Sequence, residues 1–521
     1  MVHLPASAWS EAERAQHLLN RAAFGPTAED TAEVLRLGPE RWLAGQLTPG
    51  SDPAMEHRLS GFKTLTLSVG EALEAYPPLQ KRLKDLGFTK EQLASAEGKK
   101  EVRAMAEQNG EELPRQLLVE ATQAKLLRVT LSHRQLEEVL VDFWFNHFNV
   151  SAEKNRTRWM VTPYERDAIR PHVFGKFRDL LGATAKHPAM LWYLDNWMSV
   201  RDGFRPPERR RRPAPENEEA EFQMPRGLNE NYARELLELH TLGVDAGYTQ
   251  EDVHEAARAL TGWSMNLRPR AGRVGEFVFR LPAHDEGPKK IFGLELPSGG
   301  GVVDGERLLD YLARHPATAR HIATKLCTRF VSDTPPPELV EKVAAVFLST
   351  DGDLRATVQA LFESPEFWSD AARGVKTKTP LEFVASAVRA VGTLDEAQQP
   401  LARTLESLGS PLYRCNPPTG YAEVSTPWVS AGALVTRINF GLSLATGRVK
   451  GVVLELPAPA ASADATIDAV SLRILGRLPT APTRATLLKA LAPQEDDGEA
   501  RHVDPARVAG LLLGSPEFQH Q

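Results

Sequence analysis

The stretch Asn229–Trp263, NENYARELLELHTLGVDAGYTQEDVHEAARALTGW, reads as helix, tight loop, helix. Asn229 suits an N-cap, and Glu230 sets a carboxylate in the first turn, at the positive end of the helix dipole. Gly243 supplies the stop and Asp245-Ala246-Gly247 is turn chemistry. Thr249, with Asp252 three residues on, has the form of a capping box for the second helix. On a helical wheel the first helix gathers Asn231, Arg234, Glu235 and Glu238 on a polar face and Tyr232, Ala233, Leu236, Leu237 and Leu239 on an apolar one. His240 falls in the middle of the apolar face, across from Glu235 and Glu238. One helix therefore cannot present His240 and that carboxylate pair to the same small ligand, and any shared site needs other helices.

Working outward, Arg134–Phe148 is a second key helix, apolar almost all round and so expected to be buried. Its narrow polar strip is Glu138, Asp142 and Asn146, and His147 lies among Leu136, Leu140 and Phe143. The two best-marked helices thus each bury a histidine. One reading is two core histidines, each bonded to a backbone carbonyl. The sharper one is that His147 and His240 approach each other or a common ligand.

Further segments carry a resemblance. They are His17-Leu-Leu-Asn-Arg-Ala-Ala-Phe-Gly-Pro-Thr27, Phe143-Trp-Phe-Asn-His-Phe148, Met190–Asn196, His284-Asp-Glu-Gly287, His315–Phe330, Lys378–Phe383 and Asn416-Pro-Pro418…Trp428…Arg437-Ile-Asn-Phe440. With the central stretch, and in this order, they resemble the bacterial family called domain of unknown function 1800, over most of residues 10–445. The resemblance brings no established activity or catalytic residues. It implies an association with a separately encoded, often exported partner of an alkaline-phosphatase-like family. One position departs from the pattern: Phe145 stands where the family usually has the first histidine of Trp-His-Asn-His-Phe.

The chain has 521 residues, 42% hydrophobic and 25% charged, ample for a sizeable core. Its net charge of −6 gives nothing overall that favours nucleic acid or an anionic membrane. The start of the second central helix, with Glu251, Asp252 and Glu255, repels DNA phosphates despite the helix–turn–helix look. Two cysteines far apart, Cys327 and Cys415, imply no disulfide framework and no cysteine zinc site. No apolar run is long enough to span a membrane, and the N-terminus lacks signal-peptide character, so the expected location is the cytoplasm.

Residues 8–48 read as two short helices, starting at Ser10 and at Pro26-Thr27, with Pro26 in a first-turn position. Residues 70–128 are helix-rich and charged. Residues 205–226, with Arg209–Arg212 in a row, read as a disordered insert. Residues 272–303 hold the β candidate, a hairpin pairing Glu276–Leu281 with Ile291–Leu296 across the His284–Lys289 turn. From 304 on the chain is helical and contains a repeat: Arg329–Pro335, helix and a helix ending Ser364-Pro-Glu-Phe367 parallel Arg473–Pro479, helix and a helix ending Ser515-Pro-Glu-Phe518. The expectation is a mostly α protein, with a large helical body over 1–450, a small β-hairpin insert, a linker over 452–466 and a C-terminal helical repeat module over 463–521.

No P-loop, Rossmann glycine fingerprint, GxSxG elbow or HExxH occurs. Three weaker constellations remain. Glu235 and Glu238, at i, i+3, share a helix face and could reach one cation, although Arg234 offers Glu238 a plain salt bridge. Glu251-x-x-His254 has di-metal helix spacing, but in one copy where two are needed. His147, His240, His284 and Asp285 would together suit zinc, iron or manganese. The expected function is an enzyme, with a transition metal on His147, His240, Glu235 and Glu238 and with Arg234, Glu235, Glu238, His284 and Asp285 as catalytic candidates. The alternative is a non-catalytic partner or chaperone-like module for a co-encoded protein.

Overall fold

The Gln135–His147 helix lies at the centre of the molecule, with Leu136, Leu140, Phe143, Trp144 and His147 all buried. The structure is a computed structural model that describes residues 2–78, 114–205, 227–266, 273–396, 399–492 and 503–521, with Ser95, Glu97 and Lys100. The described chain is mostly α-helix, with three small two-stranded antiparallel sheets among the described residues. Its buried apolar side chains form one large continuous core running from the first helix to Phe518, and a small satellite of Ala72, Tyr76, Leu117 and Trp159. The Arg-rich part of the insert and most of the charged 79–113 segment lie outside the described residues.

Local chemistry sets the helix ends. Asn229 caps Glu230–Glu238 by accepting from the Asn231 N–H, and Thr249 forms a full capping box with Asp252 at the head of Gln250–Ala259. Gly243 takes a φ of 86° at the loop, where a side chain would meet the His321 ring. Tyr232, Ala233, Leu236 and Leu237 are buried, as the wheel requires. Near the N-terminus three helices stand where the sequence reading has two: Glu11–Ala22, Ala28–Leu37 and Pro39–Leu47. Gly38, at φ 84°, breaks the run and Pro39 restarts it. Thr27 caps the second, so Pro26 lies before that helix and not in its first turn.

The β region also differs from expectation. Phe277–Phe279 pairs with Trp263–Met265, the end of the central motif, and Lys289–Ile291 pairs with Leu294–Leu296. The second pair closes through Phe292 and Gly293, with φ of 45° and 93°, a two-residue turn that matches strand twist. That local turn satisfies Ile291–Leu296 internally, so Phe277–Phe279 is left to the buried Trp263 strand. Trp263 itself is fully buried against the Val302–Ala313 helix, where a Cβ on Gly305 would stand 2.3 Å from the indole.

The C-terminal helices Ala463–Leu475, Ala481–Leu491 and Pro505–Leu513 share the main core. Gly441 and Gly510 allow close packing between Ala431–Ala445 and Pro505–Leu513, for a Cβ on Gly441 would lie 2.9 Å from that of Leu513. Both Ser-Pro-Glu-Phe turns use the serine hydroxyl alike: Ser364 donates to Leu361 O (2.7 Å) and Ser515 to Leu512 O (2.6 Å). Beyond the second turn the chain pairs back on residues 376–378, with the Lys376 N–H donating to Gln521 O and the Lys378 N–H to Gln519 O.

Candidate functional site

The polar strip of the Gln135–His147 helix explains itself in space. Glu138 turns to Arg170, which binds it through two nitrogens at 2.8 and 2.9 Å. Asp142 and Asn146 instead face a cavity of about 60 Å³, together with Phe145 and Asn149. Its other walls come from Lys125, from Arg329, from Thr379 and Leu381, and from the 410–428 segment: Ser410, Leu412, Tyr413, Cys415, Tyr421, Ala422, Glu423 and Trp428. Four of the segments that carried the sequence resemblance thus meet around one space.

One wall is a buried charge network. Lys125, 2% exposed, lies 3.2 Å from Asp142 and 3.6 Å from Glu165. Burial pushes the Glu165 carboxyl up, but Lys125, Arg170 and Arg128 outweigh it and hold Glu165 at about 2. The Tyr413 hydroxyl donates to Glu165 at 2.9 Å. The Phe145 ring packs edge-on to Tyr413 and Tyr164.

The facing wall centres on Arg329, at the end of Pro316–Phe330. Its Nη1 meets Glu382 at 2.9 Å and Glu423 at 3.4 Å. Glu423 also accepts from Asn146 Nδ2 at 3.0 Å, which ties this wall to the central helix. Asn146 Oδ1 accepts from the Tyr421 N–H, and Asn149 Nδ2 donates to the Cys415 and Pro417 carbonyls. Both amides are spent on holding the 415–421 segment. Cys415 is a free thiol that burial pushes up to about 11, so it is no nucleophile near neutral pH.

Of the residues singled out in the sequence, His147 and His240 do come together, with ring centroids 6.3 Å apart, and His321 joins them at 6.1 Å from His147. His147 Nε2 donates to His240 O and His321 Nε2 to Leu239 O, so both rings cap carbonyls just past the Glu230–Glu238 helix. Burial and the nearby Lys325 keep all three neutral: His240 is lowered to about 3, His321 to about 4, and His147 well below its ordinary value. His147 Nδ1 and His240 Nε2 have no hydrogen-bond partner among the described residues. Among the described residues no three His, Cys, Asp or Glu side chains stand close enough together to hold a metal ion.

Glu235 and Glu238 are half-buried on the polar face. The Arg234 salt bridge to Glu238 is not made, since Arg234 turns to Gln250 and Glu230. Burial and the adjacent Glu238 push the Glu235 carboxyl up, and Glu238 accepts from the Tyr248 hydroxyl. His254 reaches Glu230 at 3.2 Å in the same surface cluster. His284 and Asp285 belong to different clasps. His284 contacts Thr261 O (2.8 Å) and Asp304 (3.3 Å), and Asp304 holds Lys289 at 2.7 Å. Asp285 is gripped by Arg258 through two bonds of 2.9 Å. None of these partners is shared with His147 or His240.

The cavity escaped sequence reasoning because Lys125 and Arg329 look like ordinary helix-surface residues in one dimension. The signal that could have found it is the Asp142/Asn146 pair on an otherwise apolar helix. No curated protein and no solved structure matches the chain. The family model described as Protein of unknown function (DUF1800) matches residues 17–520. The chain, almost from end to end, therefore belongs to the DUF1800 family.

Proposed function

We propose that the protein acts on a small polar molecule bound in the cavity between the Gln135–His147 helix, Arg329 and the 410–428 segment. The observation that carries this reading is the wall itself. Buried ion pairs are expensive to assemble and weak as a source of stability, yet two, Lys125–Asp142 and Arg329–Glu423, line the same space. A concave site with a few convergent polar groups is the usual form of a ligand or reaction site. The metal-dependent reading of His147, His240, Glu235 and Glu238 has only the two unpartnered ring nitrogens on its side.

Ser410 lines the cavity and is 6% exposed, so Ser410→Leu would fill the space without touching a charge. Small polar molecules screened by thermal shift are expected to raise the melting temperature of the native protein and leave that of Ser410→Leu unchanged. Equal shifts in both proteins would place binding elsewhere and end this reading.

A second reading, a docking protein for a separately encoded partner, has its own observation. Val429 (44% exposed) and, on the following helix, Leu434 (41%), Val435 (57%) and Ile438 (39%) leave apolar side chains in solvent. The phosphatase-like partner implied by the sequence resemblance belongs with this reading. Val435→Asp with Ile438→Asp is expected to abolish co-purification of such a partner while ligand-induced thermal shifts persist. Unchanged co-purification removes the surface from consideration.

A further inference from the structure

We propose that the cavity takes a small anion, a carboxylate or phosphate group, docked on the unspent edge of the Arg329 guanidinium. This rests on the reading of the cavity as a ligand site and names the ligand's chemistry. Arg329 is 4% exposed and lines the cavity. Both of its ion pairs run through Nη1, so Nε and Nη2 have no acceptor among the described residues. A guanidinium edge with two N–H groups in a fork fits a planar carboxylate or two phosphate oxygens.

The charge around Glu382 points the same way. Five buried cations feel this one carboxylate: Arg21, Arg329, Lys376, Lys378 and Arg437, each at most 4% exposed. Three other carboxylates reach the group, Asp333 against Lys376 at 2.7 Å, and Glu423 and, across the cavity, Asp142 on Arg329. Five basic side chains therefore face four carboxylates, where buried charges are normally paired. The surplus shows as unmet donors: Arg21 Nε, Arg21 Nη1 and Arg437 Nε have no partner among the described residues. Across the cavity the balance reverses, with Lys125, Arg128 and Arg170 set against Asp142, Glu165, Glu138 and Glu137. An anion therefore belongs at the Arg329 end.

Lys378 gives the state without ligand a relief valve. Its Nζ sits 3.8 Å over the Phe518 ring with no carboxylate of the described residues within ion-pair reach, and the groups that face it are Glu382, Arg437 and His520. Burial, together with Arg437 and against Glu382, lowers this amine to about 7, so near neutral pH it is partly uncharged. An anion arriving beside the cluster stabilises the ammonium form, so binding draws a proton onto Lys378.

The test is isothermal titration of the full chain with inorganic phosphate and, separately, acetate, each in two buffers of different ionisation enthalpy near neutral pH. One or both anions are expected to bind with net proton uptake, and the two titrations tell phosphate from carboxylate. Arg329→Lys keeps a charge for Glu382 but loses the fork, and should weaken binding roughly 10-fold or more. Ser410→Leu should abolish binding. Lys378→Met should bind without proton uptake. If neither anion binds while neutral polar molecules still stabilise the native protein and not Ser410→Leu, the anion assignment fails and the cavity reading survives. If nothing binds, both fail. Anion binding undiminished in Arg329→Lys and Ser410→Leu also overturns the proposal.

Discussion

Taking the protein from about pH 7.5 to about pH 5.5 is expected to cost on the order of 4 kcal/mol of stability through three side chains, His17, His147 and His240. All three are at most 3% exposed and have pKa values lowered from 6.5, His240 to about 3 and the other two well below the ordinary value, with burial as the main cause. A depressed histidine pKa means that the unfolded chain binds the proton first. The penalty therefore begins as pH falls through the unfolded value of 6.5 and grows until the folded values are reached, about 3 for His240. Each such group costs about 1.4 kcal/mol per pH unit inside that window. His187, lowered to about 3, and His321, lowered to about 4, act in the same direction. Glu137 and Glu235, whose carboxyls are raised, oppose the trend slightly as they take up protons that suit the folded state. Native carboxylates that are depressed lose their contribution only at lower pH, so the histidines dominate the interval, with Lys378, lowered to about 7, adding a smaller loss in the same direction. Urea unfolding at several pH values checks this. His147→Gln, which keeps a donor near Nε2 and removes the titration, should flatten the slope by about one proton. A stability that is level down to about pH 5.5 would show that these rings are charged or hydrated in the folded state.

The same histidines show what a sequence can and cannot carry. That His147 and His240 are buried is legible from the wheel, because the apolar period dictates which face meets the core. Their contact is also consistent with the sharper sequence reading. That they cap the end of the Glu230–Glu238 helix, with His321 supplying the second donor, depends on where Pro316–Phe330 crosses, which no local pattern encodes. Helix caps at Asn229 and Thr249 were readable because cap and recipient lie two or three residues apart. The Phe277–Phe279 strand was mispaired because an equally good partner, Trp263–Met265, sits before it in the chain and is more deeply buried.

The cavity is the extreme case. Asn146 and Tyr421, bonded to each other, are 275 residues apart, and Tyr413 and Glu165 are 248 apart. Charged residues also mislead one-dimensional reasoning in a particular way. Lys125, Arg329 and Glu382 have the types and spacings of solvent-facing helix residues and are nonetheless buried, because each brings its counter-charge from a distant segment. The Glu235/Glu238 pair, which the sequence made prominent, stays at the polar face instead.

Lys125→Met is expected to destabilise the fold by about 3–5 kcal/mol, a loss typical of breaking a buried ion pair by deleting one partner. The methionine replaces most of the stem volume, so packing is nearly kept and the effect is electrostatic. Lys125 is the largest of the attractive influences that hold Glu165 at about 2 against burial. Removing it leaves Glu165 to Arg170 at 3.4 Å and Arg128 at 3.9 Å, and Asp142 with no cation in contact. A depressed carboxylate contributes stability that is present above its unfolded value of 4.5 and fades as pH falls toward the folded value of about 2. The variant should therefore lie furthest below the parent near neutral pH and approach it in acid, the same sense as the histidine effect but in a lower pH window. The discriminating measurement is a double-mutant cycle. Asp142→Asn alone should destabilise less than Lys125→Met, and the pair Lys125→Met with Asp142→Asn should recover part of the loss, with a coupling on the order of 1–3 kcal/mol. Strict additivity would mean that water in the cavity already screens the pair. The walls would then be solvated surfaces folded inward, not a dry polar lining prepared for a ligand.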